Sequence, residues 1–176
     1  MILLLNGAFG IGKSTVARHL RERLPGSAIF DPELVGFVLQ RLPTFVPLAG
    51  RGTDDFQDLP AWRRLSVRGI RLVRRRRETV IVPMAFTNLA YLRELQDGAR
   101  AVDPDVRHFC LTAPYEVVKA RLASRGPNAW VLRRAAECCL AHGRPEFEER
   151  VPTEVLLAEA VAAEIVRRLE RATART

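Results

Sequence analysis

The chain has 176 residues, enough for one domain with a substantial hydrophobic core. Its three cysteines show no Cys-x-x-Cys or Cys/His metal spacing, which argues against a disulfide scaffold or a zinc site and indicates reduced thiols in a cytoplasmic protein. The apolar start at 1–5 is too short for a signal sequence, and no apolar run approaches the ~18 residues of a membrane span.

The net charge of +8 is concentrated in one segment. Positions 61–77 hold eight arginines and no acidic residue, whereas the rest of the chain has 20 basic and 20 acidic residues. Helical spacing places arginines on one side of this segment and apolar residues on the other: Arg64, Arg68, Arg71 and Arg75 against Leu65, Ile70 and Val73. We therefore expect a solvated basic helix face and no nucleic-acid partner.

In chain order, apolar runs of strand length alternate with segments of helical period. This alternation predicts a three-layer α/β fold with a central parallel sheet of about five strands and helices on both faces. We expect strands at 2–5, 27–30, 79–83, 107–112 and 150–152. We expect helices at 13–24, 32–42, 61–77, 88–98, 115–124 and 129–141, and a last one that Thr153 caps. A single domain spanning 1–176 results.

The segment between the first strand and the first helix carries a complete phosphate-binding motif, G-x-x-x-x-G-K-[ST]. It consists of Gly7, Ala8, Phe9, Gly10, Ile11, Gly12, Lys13 and Ser14, and Thr15 follows it in the helix. The glycines let backbone N–H groups point at phosphate oxygens at a helix N-terminus. Lys13 is expected to reach the β- and γ-phosphates, and the Ser14 hydroxyl to ligate magnesium. The motif predicts binding of ATP with Mg²⁺.

A candidate catalytic carboxylate, Asp31, stands at the end of the second strand, where ligands of open α/β sheets collect. It is equally well placed to cap the helix that begins at Pro32, and the two roles are compatible. The third strand ends in Val82-Pro83-Met84, so the aspartate that commonly helps to hold magnesium is missing there. Ser14 is then the predicted protein ligand, with Asp31 as the nearest candidate for help.

Two arginines precede a helix break at Gly126-Pro127. Arg121 and Arg125 lie at i, i+4 spacing, and the region 121–142 is lid-like. In small P-loop kinases, arginines at such a place neutralise the transferred phosphoryl group. The alternative is that both are ordinary surface arginines of an arginine-rich chain.

The P-loop motif, Asp31 and the lid-like arginines together resemble the P-loop nucleoside and nucleotide kinases, which implies a P-loop fold of the nucleoside-kinase type. Several short blocks, in order along nearly the whole chain, more closely resemble the bacterial tunicamycin resistance protein family. They are 6–10, Asp31-Pro32-Glu33 with Gly36-Phe37, Asp54-Asp55-Phe56-Gln57 with Pro60 and Trp62-Arg63, 81–84, and Phe147-Glu148 before Thr153. This resemblance also accounts for Pro-Met in place of the missing aspartate. It implies an ATP-binding protein that confers resistance to tunicamycin, a nucleoside antibiotic with uridine, sugar and fatty acyl parts.

The long loop 43–60 is typical of a binding loop, and it holds four of the nine residues predicted to bind the acceptor. The nine are Asp31, Phe37, Asp54, Asp55, Phe56, Gln57, Trp62, Arg63 and Met84. Carboxylates and amides suit hydroxyl groups, and aromatic rings suit flat bases. Alternatively, Phe56 and Trp62 anchor the loop in the core.

Two functional alternatives to phosphorylation of the drug stay open. In the first alternative, the protein sequesters the drug without turnover. In the second, it is a small-molecule kinase with another acceptor. The acyl chain implies at most weak membrane contact through the C-terminal helix, whose apolar face is expected to pack on the sheet.

Overall fold

In the computed structural model, the described part of the chain is 1–41, 55–124, 126 and 128–174, without the side chains of Gln40 and Thr173. Within it, one sheet has five parallel strands in the order β2-β3-β1-β4-β5. The strands are β1 (Ile2–Gly7), β2 (Ser27–Ile29), β3 (Thr79–Met84), β4 (Val106–Thr112) and β5 (Arg150–Pro152). The predicted parallel sheet is confirmed, and β1 lies at its centre.

Seven helices of the described residues surround this sheet: α1 (Lys13–Arg23), α2 (Pro32–Arg41), α3 (Pro60–Arg74), α4 (Leu89–Arg100), α5 (Tyr115–Ala123), α6 (Ala129–His142) and α7 (Ala158–Thr173). A short 3-10 helix, Phe56–Asp58, precedes α3. Most of the predicted binding loop, 43–54, lies outside the described residues. No helix in the described ranges is long and apolar enough to cross a membrane.

The alternating side chains of β1 divide the core into two layers. Leu3 and Leu5 pack with α1, α5, α6 and α7 on one face of the sheet. Ile2 and Leu4 pack with α2, α3 and α4 on the other. The apolar face of α7 is buried in the first of these layers, as expected.

The C-terminal helix does not begin where the sequence predicted. Its first residue is Ala158, and Leu157 occupies the cap position. Thr153 instead continues the edge of the sheet, where its N–H donates to the Thr112 carbonyl at 2.8 Å. Its hydroxyl accepts a hydrogen bond from Arg121 at 3.2 Å. The prediction of a Thr153 cap was wrong because these two contacts already occupy the residue.

Asn6, at the end of β1, fixes the start of the P-loop. It is fully buried, and its Oδ1 accepts hydrogen bonds from the N–H groups of Gly7 at 3.0 Å and Phe86 at 2.9 Å. Its Nδ2 donates to the Phe86 carbonyl at 3.1 Å. Because buried polar groups are costly unless paired, this network holds the ends of β1 and β3 together beneath the loop.

Asp103 ties the N-terminus and α3 to the far end of the sheet. Its Oδ2 accepts hydrogen bonds from the Met1 ammonium at 3.0 Å and from Arg74 Nε at 2.5 Å. Its Oδ1 accepts one from the Asp105 N–H at 2.8 Å. Burial alone would raise the pKa of Asp103, but these donors outweigh it and lower the pKa to about 2.

We expect Asp103→Asn to lower the free energy of unfolding by about 2 kcal/mol at pH 7. A depressed carboxyl pKa contributes stability above the unfolded value of 3.8 that is lost as the pH falls towards 2. Urea unfolding at pH 7 and pH 2.5 should therefore show a difference between wild type and variant that shrinks at the lower pH. Asp97→Asn, in an exposed pair with Arg100, is the control. An equal deficit at both pH values would contradict the assignment.

Candidate active site

The P-loop joins β1 to α1 as the sequence predicted. Gly10 and Gly12 have φ values of 80° and 107°, in the left-handed region that side-chain-bearing residues rarely adopt. None of the described side chains caps α1, whose N-cap residue is Gly12. The first N–H groups of the helix are thus available to an anion, and the helix dipole favours one.

Lys13 lies folded over the loop. Its Nζ donates to the Ala8 carbonyl at 2.9 Å and lies 5.4 Å from the centre of the Phe9 ring. Burial lowers the pKa of Lys13, and the nearby carboxylate of Glu33 acts in the opposite direction. Ser14 is exposed at the same helix end. Both residues are therefore placed where the motif requires them.

A cavity of about 390 Å³ opens beside the P-loop, on the side of α5 and α7. Gly12, Thr15, Arg121, Thr153 and Leu157 contribute to its walls. Its volume and its position at the P-loop suit the nucleoside part of a bound nucleotide.

Arg121 is engaged in the wall of this cavity. Its Nη2 donates to the Thr153 carbonyl at 2.6 Å and to the Glu154 carbonyl at 3.4 Å. Its Nη1 donates to the Ile11 carbonyl at 3.4 Å. These contacts join the P-loop to the segment after β5, so they favour a part in shaping the nucleotide cavity over the expected part in neutralising the transferred phosphoryl group. Arg125 lies outside the described residues, and its role stays a prediction.

We expect Arg121→Ala to raise the dissociation constant for ATP by roughly 10-fold or more, because several hydrogen bonds to the cavity wall are lost. Turnover at saturating ATP should fall less. Calorimetry with ATP and a separate kcat measurement distinguish the two roles. A large loss of kcat with unchanged ATP affinity would instead support action on the transition state. Arg100→Ala, on the far surface of α4, is the control.

Carboxylates face Lys13 from the end of β2. Asp31 caps α2, since its Oδ1 accepts a hydrogen bond from the Glu33 N–H at 2.9 Å, as the sequence predicted. Of the two carboxylates, Glu33 has the larger electrostatic effect on the pKa of Lys13. Burial raises the pKa of Glu33, and the charges of Asp31 and Asp55 raise it further, although Lys13 opposes them. A carboxylate with a raised pKa is suited to accept a proton.

The block Asp54-Asp55-Phe56-Gln57, predicted to bind the acceptor, is called the acceptor block. Asp55 is its described carboxylate. Its Oδ1 accepts a hydrogen bond from the Gln57 N–H at 2.9 Å, which caps the 3-10 helix. Its Oδ2 accepts one from Arg134 Nη2 at 2.6 Å. Arg134 belongs to α6, so this ion pair connects the acceptor block to the lid-like region. Asp54 lies outside the described residues.

Four residues predicted to bind the acceptor are instead buried in the scaffold. Trp62 is 2% exposed, and its indole N–H donates to the Pro32 carbonyl at 2.9 Å. Gln57 donates to the Ala85 carbonyl at 3.3 Å, and Arg63 binds Glu94. Met84 is packed in the core layer beside Phe86. Burial and internal hydrogen bonding correct the expectation that these side chains contact the acceptor.

Phe56 and Phe37 lie between this scaffold and the surface. The Phe56 ring packs against Trp62 at 5.3 Å and against Phe37 at 6.4 Å, measured between ring centres. Phe37 is 47% exposed. The loop-anchor alternative therefore describes Trp62, whereas Phe37 is partly exposed and its contact with a ligand stays a prediction.

Sequence reasoning missed several residues that the fold brings to the site. Glu33 stands in one of the blocks that carry the family resemblance but was given no role there, and Arg134 was not distinguishable among the other arginines. Trp130, at the start of α6, packs edge-on against Phe9 of the P-loop with 5.7 Å between ring centres. Among the described residues, no group of His, Cys, Asp and Glu forms a metal site by itself.

Comparison with known proteins gives the family. Residues 2–149 match the family model described as an AAA domain. The tunicamycin resistance protein of Deinococcus radiodurans shares 30% sequence identity and superposes with a TM-score of 0.78, over 96% of this chain and 94% of that one. The chain belongs to the bacterial tunicamycin resistance protein family. As members of this family, both proteins have a P-loop kinase-like fold.

More distant structures share the fold of this tunicamycin resistance family member. A gluconokinase from Sinorhizobium meliloti has 19% identity and a TM-score of 0.60, over 96% of this chain and 94% of that one. A shikimate kinase from Aquifex aeolicus has 19% identity and a TM-score of 0.59, over 98% of both chains. A comparison with curated proteins gives no match.

Proposed function

We propose that this protein transfers a phosphoryl group from ATP to a hydroxyl group of a nucleoside-like antibiotic, with tunicamycin as the first candidate. One observation carries the proposal: the carboxylates of Glu33 and Asp31 lie near enough to Lys13 of the complete P-loop to raise its pKa against the effect of burial. Asp55 in turn acts on the pKa of Glu33. A phosphate-binding cation beside proton-accepting groups is the arrangement that phosphoryl transfer to a hydroxyl requires. The Deinococcus relative supports the choice of drug.

The residues present fit a nucleotide with magnesium. The N–H groups at the start of α1 and the Lys13 ammonium would hold the phosphates, and the Ser14 hydroxyl would ligate the metal. The cavity lined by Thr15 and Arg121 would take the nucleoside part. Magnesium, when bound, supplies neutralisation of the phosphate charge.

In the proposed reaction, the acceptor oxygen attacks the γ-phosphorus of ATP. A new P–O bond forms to the acceptor while the bond to the β-phosphate oxygen breaks and ADP leaves. The hydroxyl proton passes to the Glu33 carboxylate, whose pKa burial raises. Asp31 accepts the Glu33 N–H and so fixes the first turn of α2, to which Glu33 belongs. Most of the rate enhancement comes from positioning and from charge neutralisation, because phosphoryl transfer needs little covalent help from a protein.

The reaction is proposed to occur in the cytoplasm, where ATP is plentiful. Membrane contact through α7 is not supported by its packing, since Val161, Ile165 and Leu169 face the core. The sequestering alternative needs the same nucleotide site and differs from the proposal in turnover.

The test combines purified protein, ATP, magnesium and tunicamycin, with products followed by mass spectrometry. The expected result is ADP together with drug carrying one added phosphoryl group, in excess over the protein. Drug bound up to one molecule per protein without product would support sequestration and contradict turnover. Expression in a sensitive bacterium should also raise its tunicamycin tolerance. If neither binding nor protection is found while ATP still binds, the acceptor is another compound.

A further inference from the structure

A row of charged side chains extends from the P-loop to α6. Glu33 and Asp31 lie near enough to Lys13 to affect its pKa, and Asp55 affects the pKa of Glu33 in the same way. Asp55 pairs with Arg134 at 2.6 Å. Beyond Arg134, Glu137 accepts a hydrogen bond from its Nη1 at 2.7 Å. The described members of this row comprise two cations, Lys13 and Arg134, and four carboxylates, Asp31, Glu33, Asp55 and Glu137. Among the residues that the structure describes, this row therefore carries an excess of negative charge.

Arg134 is already neutralised by its neighbours. Its Nη2 binds Asp55 at 2.6 Å, its Nη1 binds Glu137, and its side chain is 17% exposed. Its Nε is buried with no hydrogen-bond partner in the described part of the chain. An acceptor anion would have to displace a carboxylate to reach this guanidinium. Leaving that carboxylate unpaired in a half-buried place is costly.

Arg63, which follows the acceptor block on α3, is engaged as well. Arg63 Nε donates to Glu94 at 2.5 Å, and its Nη1 donates to the Gln57 carbonyl at 2.6 Å. Its guanidinium also lies 4.1 Å from the centre of the Tyr91 ring. In the proposed function Lys13 binds the nucleotide phosphates, so the other charged groups of this row that the structure describes are Arg134 and four carboxylates. Hydroxyl groups can donate to the carboxylates, whereas an acceptor anion meets like charge.

We propose that the pairing of Arg134 with Asp55 and Glu137 makes the site selective for uncharged acceptors rich in hydroxyl groups and excludes acceptors that carry phosphate or carboxylate. Asp55 and Arg134 are then specificity-determining residues. This inference rests on the proposed function and narrows its substrate class. It applies to any acceptor with free hydroxyl groups, including the nucleoside part of an antibiotic.

The test is calorimetry on protein saturated with a non-hydrolysable ATP analogue and Mg²⁺, which keeps other nucleotides out of the P-loop. Uridine and uridine 5′-monophosphate are the probes, because they differ by one phosphate. The wild type should bind uridine at least about 10-fold more tightly than the monophosphate, and added salt should reduce the difference. Asp55→Asn can still cap the 3-10 helix, but it removes one carboxylate and leaves Glu137 as the carboxylate that pairs with Arg134 among the described residues. In this variant the preference should fall by at least about 10-fold.

Two further variants accompany this test. Asp97→Asn makes the same change in an exposed pair on α4, and it should leave the preference unaltered. Glu137→Gln leaves the Asp55 cap intact and should shift the preference in the same direction as Asp55→Asn but less, because Glu137 is 46% exposed. This variant keeps the test decisive if Asp55→Asn does not fold.

Three results would overturn the inference in distinguishable ways. Equal or tighter binding of the monophosphate by the wild type removes the selectivity but leaves the proposed phosphotransfer standing. If the preference is unchanged in both Asp55→Asn and Glu137→Gln, the ion pairs of Arg134 stabilise the fold and do not determine specificity. Binding of neither probe by protein that holds the ATP analogue removes the nucleoside acceptor assignment and this inference together.

Discussion

Lys13→Ala is expected to lower ATP affinity or turnover by at least about 10²-fold, because charge-assisted contacts to the β- and γ-phosphates disappear. In the structure the ammonium hydrogen-bonds only to the Ala8 carbonyl among the described residues, so its removal should leave the fold intact. Calorimetry with ATP and Mg²⁺, together with circular dichroism, measures both effects.

The chain provides a matched control for this substitution. Lys119 is its other lysine; it lies on α5, where its side chain is 53% exposed and pairs loosely with Glu116 at 3.8 Å. Lys119→Ala should change neither ATP affinity nor turnover. Equal ATP affinity and activity in the wild type and Lys13→Ala would remove the P-loop from the proposed function altogether.

Glu33→Gln should lower kcat by roughly 10²-fold or more, because the acceptor proton loses its base. Burial raises the pKa of Glu33, so wild-type activity should rise as the pH rises through that raised pKa and the carboxylate ionises. This acidic limb of the pH profile should disappear in Glu33→Gln. Steady-state kinetics between about pH 4 and pH 8 measures it.

The Asp31→Asn variant distinguishes the role of Asp31 from that of Glu33. Asparagine can still accept the Glu33 N–H that caps α2, so the fold and ATP binding should persist. If Asp31 assists catalysis, kcat falls by roughly 10²-fold and the acidic limb stays. If the acidic limb of the pH profile is lost in Asp31→Asn but kept in Glu33→Gln, Asp31 is the base. Glu116→Gln, in an exposed i, i+3 pair on α5, is the control for both.

What the sequence determined by itself is local along the chain. The motif at 7–14 lies between a strand and a helix, and its glycines and Lys13 are only a few residues apart in the chain. The alternation of strand and helix patterns predicted the parallel sheet, because hydrophobic periodicity depends on neighbouring residues alone. The cap of α2 by Asp31 was predictable for the same reason.

What only the tertiary structure decided depends on residues far apart in sequence. Arg134 and Asp55 are 79 positions apart, and the packing of α6 against the acceptor block brings them together. Arg121 reaches Thr153 because β5 pairs with β4 at the edge of the sheet. The sequence left open whether Trp62 stacks on a ligand or anchors the loop, and its burial in the core decides for the anchor. Residue type and spacing leave such choices open, since burial is set by which helix faces which strand.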